Sequence, residues 1–351
     1  MYKKWISYFL KYGIIFCISF VGFNFIINPY GVFAHKNKFS KVKNHIASER
    51  MTKLYYLKRL QPKTILIGTS RVGVINPKTV EKYTHNKVYN LSLDASSIKE
   101  QYLYIKYIIN TTSVNNIIWG IDFFSFNPDN KLSFSFSQQR LEKDFYLQDY
   151  RDALLTMDVL FASIATLKDN IKNKKNKLNL DNGQNYFLEH KQNFKIQGKP
   201  FLDRKIEEGL KGYKKTKELY GSEKFKNYST IDENFILIQE IANLCRKKDI
   251  DLHAYISPVY IKTLRLIQEL DLWKTYRYFK INLAKVTPFW GFNGNFNITS
   301  NKENFWDNSH AREEVGDLMM NSIFNKNNNY GKLITSDNVL QHLNNLEKTL
   351  K

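Results

Sequence analysis

Three residues, far apart in the chain, have the types and local spacing that nucleophilic acyl chemistry needs. Ser70 follows the apolar run Thr64-Ile65-Leu66-Ile67-Gly68-Thr69, and Asp307 and His310 lie close together in Phe305-Trp306-Asp307-Asn308-Ser309-His310. A serine hydroxyl is a weak nucleophile until a histidine takes its proton, and the histidine must be held in one tautomer by a carboxylate. An Asp and a His three positions apart can share one side of a turn. Asp307 can then bond one imidazole nitrogen while the other faces Ser70. Each signal alone has an ordinary explanation: Ser70 could cap the next helix, and Asp-x-x-His pairs arise by chance. Their weight comes from the elements that must position them.

Ile65 to Ile67 reads as a buried strand, with Gly68 allowing the sharp turn that leaves Ser70 at its carboxyl end. That edge is where open α/β sheets place their sites. A helix over 46–60 is expected before this strand. Val88 to Leu91 is a second strand, with Asn90 to Ala95 at its end. From Ser96 to Ile109 the spacing is helical, placing Ile98, Tyr102, Ile105 and Ile109 on one face. Asn116 to Asp122 is apolar on both faces and predicts a central strand ending in Asp122. The β-α-β-α-β order predicts a parallel sheet with right-handed crossovers.

Regularity is lost after residue 126. Residues 127–232 read as an insertion, half helical and half mobile, with a helical piece from Asp152 to Leu167 and a lysine-rich stretch at Lys172, Lys174, Lys175 and Lys177. Few residues of 170–200 are expected in the core. The sheet resumes after a helix from Glu233 to Lys247, with a strand at Leu252–Ile256. A helix near Tyr260–Phe279 and an extended segment at Pro288–Phe292 lead to the Asp307/His310 loop. A helix over Arg312–Phe324 closes the domain. The implied organisation is a membrane anchor at 1–30, a first domain part at 31–126, the insertion at 127–232, a second part at 233–330 and a tail at 331–351. His253 competes with His310, but its mid-strand position predicts a packed histidine.

The chain has 351 residues and a formal charge of +20, which suggests an anionic partner or simply lysine-rich coding. No aromatic-interleaved basic stripe, zinc-ligand spacing or Gly-rich phosphate loop points to nucleic acid, a metal or an organic cofactor. Cys17 and Cys245 make no disulfide framework. Tyr12 to Ile27 is uncharged and apolar, and extending back to Trp5 gives about the 20 residues that span a bilayer. No small-x-small cleavage site follows it, so an uncleaved anchor is expected. Lys3, Lys4 and Lys11 precede this span, whereas Lys36, Lys38, Lys41, Lys43 and Arg50 follow it. By charge alone the large domain would stay in the cytoplasm.

Ile67-Gly68-Thr69-Ser70-Arg71, Tyr89 to Ser96, Trp119-Gly120-Ile121-Asp122-Phe123-Phe124 and Phe305 to His310 carry a resemblance. Over most of 60–126 and 250–325 the chain resembles the SGNH (GDSL-like) hydrolase superfamily. It is most similar to the membrane-anchored envelope proteins of alginate O-acetylation and teichoic-acid D-alanylation, and Asn28 to Phe33 matches their N-terminal arrangement. The resemblance implies a three-layer, flavodoxin-like α/β sandwich behind one transmembrane helix. Ser70 would be the nucleophile, His310 the base and Asp307 its orienting carboxylate, with Arg71, Asn90, Asp94, Ala95 and Asp122 around the substrate and oxyanion. It implies no cofactor and a domain outside the cytoplasmic membrane. The partners implied are a polysaccharide substrate, lipid around the anchor and a multispanning membrane acyl-donor protein.

Two positions depart from the superfamily pattern. Asp94-Ala95 stands where a glycine is expected, and Asp122 takes the place of an asparagine. An ionised carboxylate beside a developing oxyanion opposes the reaction. Either Asp122 points away and the N–H groups of Ser70 and Ala95 serve, or activity is specialised or lost. The expected function is O-acyl transfer or ester hydrolysis on a cell-surface polysaccharide. The rivals are a non-catalytic SGNH-like protein that binds a glycan or partner, and a basic protein facing anionic lipid or nucleic acid from the cytoplasm.

Overall fold

The computed structural model describes residues 2–35, 39, 41–43, 48–143, 145–175, 178, 181–294, 296–327 and 329–350. Lys36, Lys38, Lys177 and the first residues of the helix expected over 46–60 lie outside the described residues. The chain forms two units, one of Met1–Leu60 with Ser135–Asn176 and the other of Gln61–Phe134 with Lys177–Lys351.

The first unit is built on the helix Tyr2–Ile27, whose 26 residues are long and apolar enough to cross a membrane. The last carbonyls of a helix need donors from outside it. Here the Asn28 N–H returns to Asn24 O at 2.8 Å, and the Lys43 ammonium donates to Asn28 O at 2.8 Å. Burial lowers the pKa of Lys43 to about 8, with the Arg59 charge adding to the effect. The Arg59 guanidinium donates to Gly31 O at 2.8 Å and Val32 O at 3.0 Å. Beside them, Tyr30, Val32, Met51, Ala153, Val159 and Ala162 form a small core. The helices Glu49–Leu60, Leu147–Leu154 and Met157–Ile171 supply its walls.

The second unit is an α/β domain on a six-stranded sheet. Its strands are β1 (Thr64–Gly68), β2 (Val88–Ser92), β3 (Asn116–Gly120), β4 (Asp251–Ile256), β5 (Phe289–Gly291) and β6 (Lys332–Ile334), in the order β2-β1-β3-β4-β5-β6. The first five are parallel, and β6 pairs antiparallel with β5. The expected parallel sheet is therefore mostly parallel, because the edge strand runs the other way. Strand order reverses between β1 and β3, the switch point at which such sheets open a crevice. Side chains alternate across the sheet. Leu66, Ile118, Tyr255 and Trp290 pack on one face with Val80, Val315, Met319 and Ile323. On the other face Trp119 Nε1 donates to Gln101 Oε1 at 2.7 Å, in the helix Ile98–Thr111. Helices thus cover both faces.

Three local features differ from the expectations or add to them. The helix expected near Tyr260–Phe279 is two, Ile261–Glu269 and Trp273–Val286, broken where Asp271 takes a left-handed φ of 59°. Asp tolerates that conformation, and no glycine or proline marks it. Residues 181–187 do more than loop over the surface, since Asn182 O accepts from the Asn90 N–H of edge strand β2 at 2.7 Å. Gly183, at φ 78°, lies so close that a Cβ would strike Asn90 O. Covering an edge this way blocks pairing with other chains. The 331–351 segment is the third case, for it holds β6 and the helix Val339–Leu350.

That last helix is pinned by a buried pair. Lys280 Nζ donates to His342 Nε2 at 2.8 Å and to Asn293 Oδ1 at 3.0 Å. Burial lowers Lys280 from 10.5 to about 7, and burial with the Lys280 charge lowers His342 to about 2. Between 7 and 10.5 the unfolded chain binds a Lys280 proton that the folded chain does not. Stability therefore rises with pH through that window. The thermal midpoint in detergent should climb from neutral toward mildly alkaline pH. Lys280→Met should flatten the climb, and an unchanged slope in that variant would remove Lys280 as its source.

Candidate active site

β1 runs into its turn at Gly68, with φ at 150°. A Cβ there would lie 2.6 Å from Gly120 O and 2.6 Å from Val72 Cγ2. Only glycine lets β1, β3 and the turn approach so closely. Gly68→Ala should cost about 2–3 kcal/mol, read as a lower thermal midpoint with activity lost together with the fold. Thr69 then caps the short helical turn Ser70–Val74, its Oγ1 accepting from Arg71 N at 3.3 Å and donating to Asp122.

Ser70 Oγ lies 2.8 Å from His310 Nε2 across the mouth of this turn. His310 Nδ1 lies 2.7 Å from Asp307 Oδ2. The other Asp307 oxygen accepts the backbone N–H groups of Ser309 at 2.7 Å and His310 at 2.8 Å. One carboxylate therefore folds the loop and orients the imidazole at once. Thr263 Oγ1 fixes the same loop by donating to Asn308 O at 2.7 Å. With the Nδ1 proton facing the carboxylate, Nε2 is left as the acceptor for the serine hydroxyl.

Charge is arranged to match. Burial would raise the Asp307 pKa, but the His310 charge and the hydrogen bonds from His310 and Ser309 outweigh it and hold the carboxyl at about 2. Burial likewise opposes protonation of His310. The charge and hydrogen bond of Asp307 overcome it, with help from the Asp94 charge and against that of Arg71, so the His310 pKa is raised.

The structure brings Ser70, His310 and Asp307 together and distributes the other expected residues around them. Arg71 is buried among several partners: Nε donates to Ser309 Oγ at 2.8 Å, Nη2 to Tyr213 OH at 3.3 Å, Nη1 pairs with Asp122 Oδ1 at 3.3 Å, the guanidinium lies 4.8 Å from the Phe124 ring, and Tyr220 is a further hydrogen-bond partner. It ties the nucleophile turn to the histidine loop. Asp122 is fully buried and engaged by Thr69 and Arg71. Asn90 lies inside β2 rather than beyond it. Its amide donates to Val72 O at 2.9 Å and Ile75 O at 3.0 Å, so it braces the Ser70 turn from below. Asp94 and Ala95 are exposed, and Ala95 takes a left-handed φ of 51°. Their loop is tied to the same carbonyl that precedes the nucleophile, with Leu93 N and Ser96 Oγ donating to Gly68 O at 2.9 and 3.3 Å. The amides of Ser70 and Ala95 donate to no acceptor among the described residues. His253 is packed, its ring 5.1 Å from that of Phe324, and burial lowers its pKa against the charge of Asp251.

Sequence reasoning missed the contribution of the insertion. The Phe187 ring lies 5.2 Å from the His310 ring and 5.7 Å from His190. Burial lowers the His190 pKa, and its proton also feels the charges of Asp307 and His310. Tyr213, in the helix Lys199–Lys215, belongs to this group through Arg71. Nothing in the spacing of residues 127–232 marks these residues, because their partners lie more than 100 positions away. Among the described residues no group of His, Cys, Asp or Glu is placed to hold a metal. No protein-family profile and no curated protein matches the chain.

Proposed function

We propose that this chain is a membrane-anchored serine acyltransferase or acylesterase of the SGNH (GDSL-like) type, acting on a cell-surface polysaccharide. The observation that carries the reading is the continuous relay from Ser70 Oγ through His310 to Asp307, at 2.8 and 2.7 Å. The strand order, with the first five strands as 2-1-3-4-5, supports a flavodoxin-like sandwich of that type.

In this reading Ser70 attacks an ester carbonyl while His310 Nε2 takes its proton. The developing oxyanion is held by the Ser70 and Ala95 amides, which donate to no acceptor among the described residues. His310 returns the proton to the departing alkoxide, leaving an acyl group on Ser70. A sugar hydroxyl or water, deprotonated by His310, attacks that acyl group, and Ser70 leaves with the proton. The domain would work outside the cytoplasmic membrane, taking acyl groups from a multispanning membrane partner. The reading as a non-catalytic binding protein drew on a carboxylate at Asp122. That carboxylate is turned into Thr69 and paired with Arg71, so its charge is not aimed at the oxyanion.

A fluorophosphonate probe tests the reading directly. Ser70 Oγ should displace fluoride from phosphorus, and peptide mapping should place the adduct on Ser70. His310→Ala should suppress labelling. Wild-type protein that stays unlabelled, with native folding verified, would count against catalysis and favour the binding role.

A further inference from the structure

The helix Met157–Ile171 is amphipathic in the sense opposite to that of a protein surface in water. Its inward side carries Val159 and Ala162 but also buried Ser163 and Thr166. Ser163 Oγ donates to Asn24 Oδ1 at 2.9 Å, and the Asn170 amide bonds Val42 N at 3.0 Å and Val42 O at 2.8 Å. Its outward side presents Met157 at 57%, Phe161 at 64%, Ile164 at 36% and Ile171 at 70% exposure. Spacings of four, three and seven residues place these four on one stripe. A single exposed leucine needs no explanation, but a contiguous large apolar face marks an interaction site.

What covers that face follows from what holds the helix. It packs on the last turns of Tyr2–Ile27, where Asn24 is buried and also donates to Leu154 O at 3.0 Å. About 20 residues cross the hydrocarbon, so a span that begins at Trp5 ends at Asn24. A helix docked there sits where acyl chains give way to headgroups. Lys168 lies on the stripe itself, and Lys172, Lys174 and Lys175 follow its end and are exposed. Long basic side chains at that depth can reach anionic headgroups from an apolar bed.

We propose that the outward stripe of Met157–Ile171 embeds in the bilayer among the acyl-chain segments nearest the headgroups, making a second membrane contact beside the anchor. This rests on reading Tyr2–Ile27 as a membrane span, and the test separates the two. Full-length protein is reconstituted in vesicles of phosphatidylcholine and phosphatidylglycerol carrying bromine either near the headgroup or near the chain end. A polarity-sensitive fluorophore is placed on native Cys17, which is exposed in the span, or, in a Cys17→Ala background, on Phe161→Cys or Met157→Cys. Cys245 is buried, and burial raises its thiol to about 11, so it does not compete for label.

The stripe labels should emit to the blue and be quenched more by shallow bromine than by deep bromine. The Cys17 label should show the reverse order. A quenched Cys17 label with both stripe labels untouched would overturn the proposal while leaving the anchor in place, whether water or protein covers the stripe. Absence of quenching at Cys17 would remove the span, and the stripe contact with it.

Discussion

Replacing Ser70 by Ala should remove nearly all turnover of an activated ester such as p-nitrophenyl acetate while leaving the thermal midpoint close to wild type. The exchange deletes one half-buried hydroxyl that bonds His310. The turn itself is held by other groups, namely the Thr69 cap, the Asn90 amide under Val72 and Ile75, and the close approach at Gly68. In a well-tuned triad, loss of the serine costs about 10⁶-fold in kcat, and loss of the histidine about as much, because the two act as a unit. His310→Ala should match Ser70→Ala, and the double variant should lose no more than either. Turnover that is equal in wild type and Ser70→Ala would dismiss the nucleophile.

Asp307→Asn should be nearly as damaging, for a reason that the two roles of the carboxylate make specific. The asparagine carbonyl oxygen can still accept from the Ser309 and His310 amides, so the loop keeps its shape. Its NH₂ then faces His310 Nδ1, which must become an acceptor, and the ring proton moves to Nε2. A protonated Nε2 cannot take a proton from Ser70, and a wrong tautomer of this kind costs about 10⁴-fold. The pH profile separates this loss from simple disorder. His310 must be neutral to act as base, and Asp307 raises its pKa, so wild-type kcat/KM should rise with pH at values above the ordinary 6.5 of histidine. Without the carboxylate charge, burial and the Arg71 charge prevail over that of Asp94, and the acid limb of the residual activity should move to lower pH. An Asp307→Asn enzyme that keeps both its rate and its acid limb would contradict the assigned geometry. Asp307→Ala should also leave the Ser309 and His310 N–H groups without their side-chain acceptor, adding a fall in thermal midpoint that Asp307→Asn does not show.

Short-range physics made much of this architecture legible. Apolar runs placed β1, β2 and β3, with Gly68 and Gly120 closing the first and third. The position of Ser70 after Gly68 and of Asp307 before His310 was enough to anticipate their encounter. What stayed hidden depends on partners distant in the chain. Asn90 was expected near the carboxyl end of its strand, but nothing local shows that its amide spans the turn of Ser70. The break at Asp271 has no glycine or proline, and β6 is a three-residue edge strand with two exposed positions. Phe187, His190 and Tyr213 sit in a stretch whose composition reads as solvated, yet they stand beside the histidine and its arginine. Arg71 could be quoted as part of a motif, but only the fold shows it reaching Ser309, Tyr213, Asp122 and Phe124 together.

The nucleophile and its base are 240 residues apart, with the serine made early and the histidine late. At ordinary synthesis rates of about 5–20 residues per second, that interval lasts roughly 10–50 s. Throughout it the growing polypeptide carries Ser70 without the group that makes it reactive. Any product truncated before the Asp307 loop, whether by ribosome arrest or by a protease, holds an inert hydroxyl. Under the proposed chemistry, Ser70 would gain its base only once the Asp307 loop has been made and folded against it.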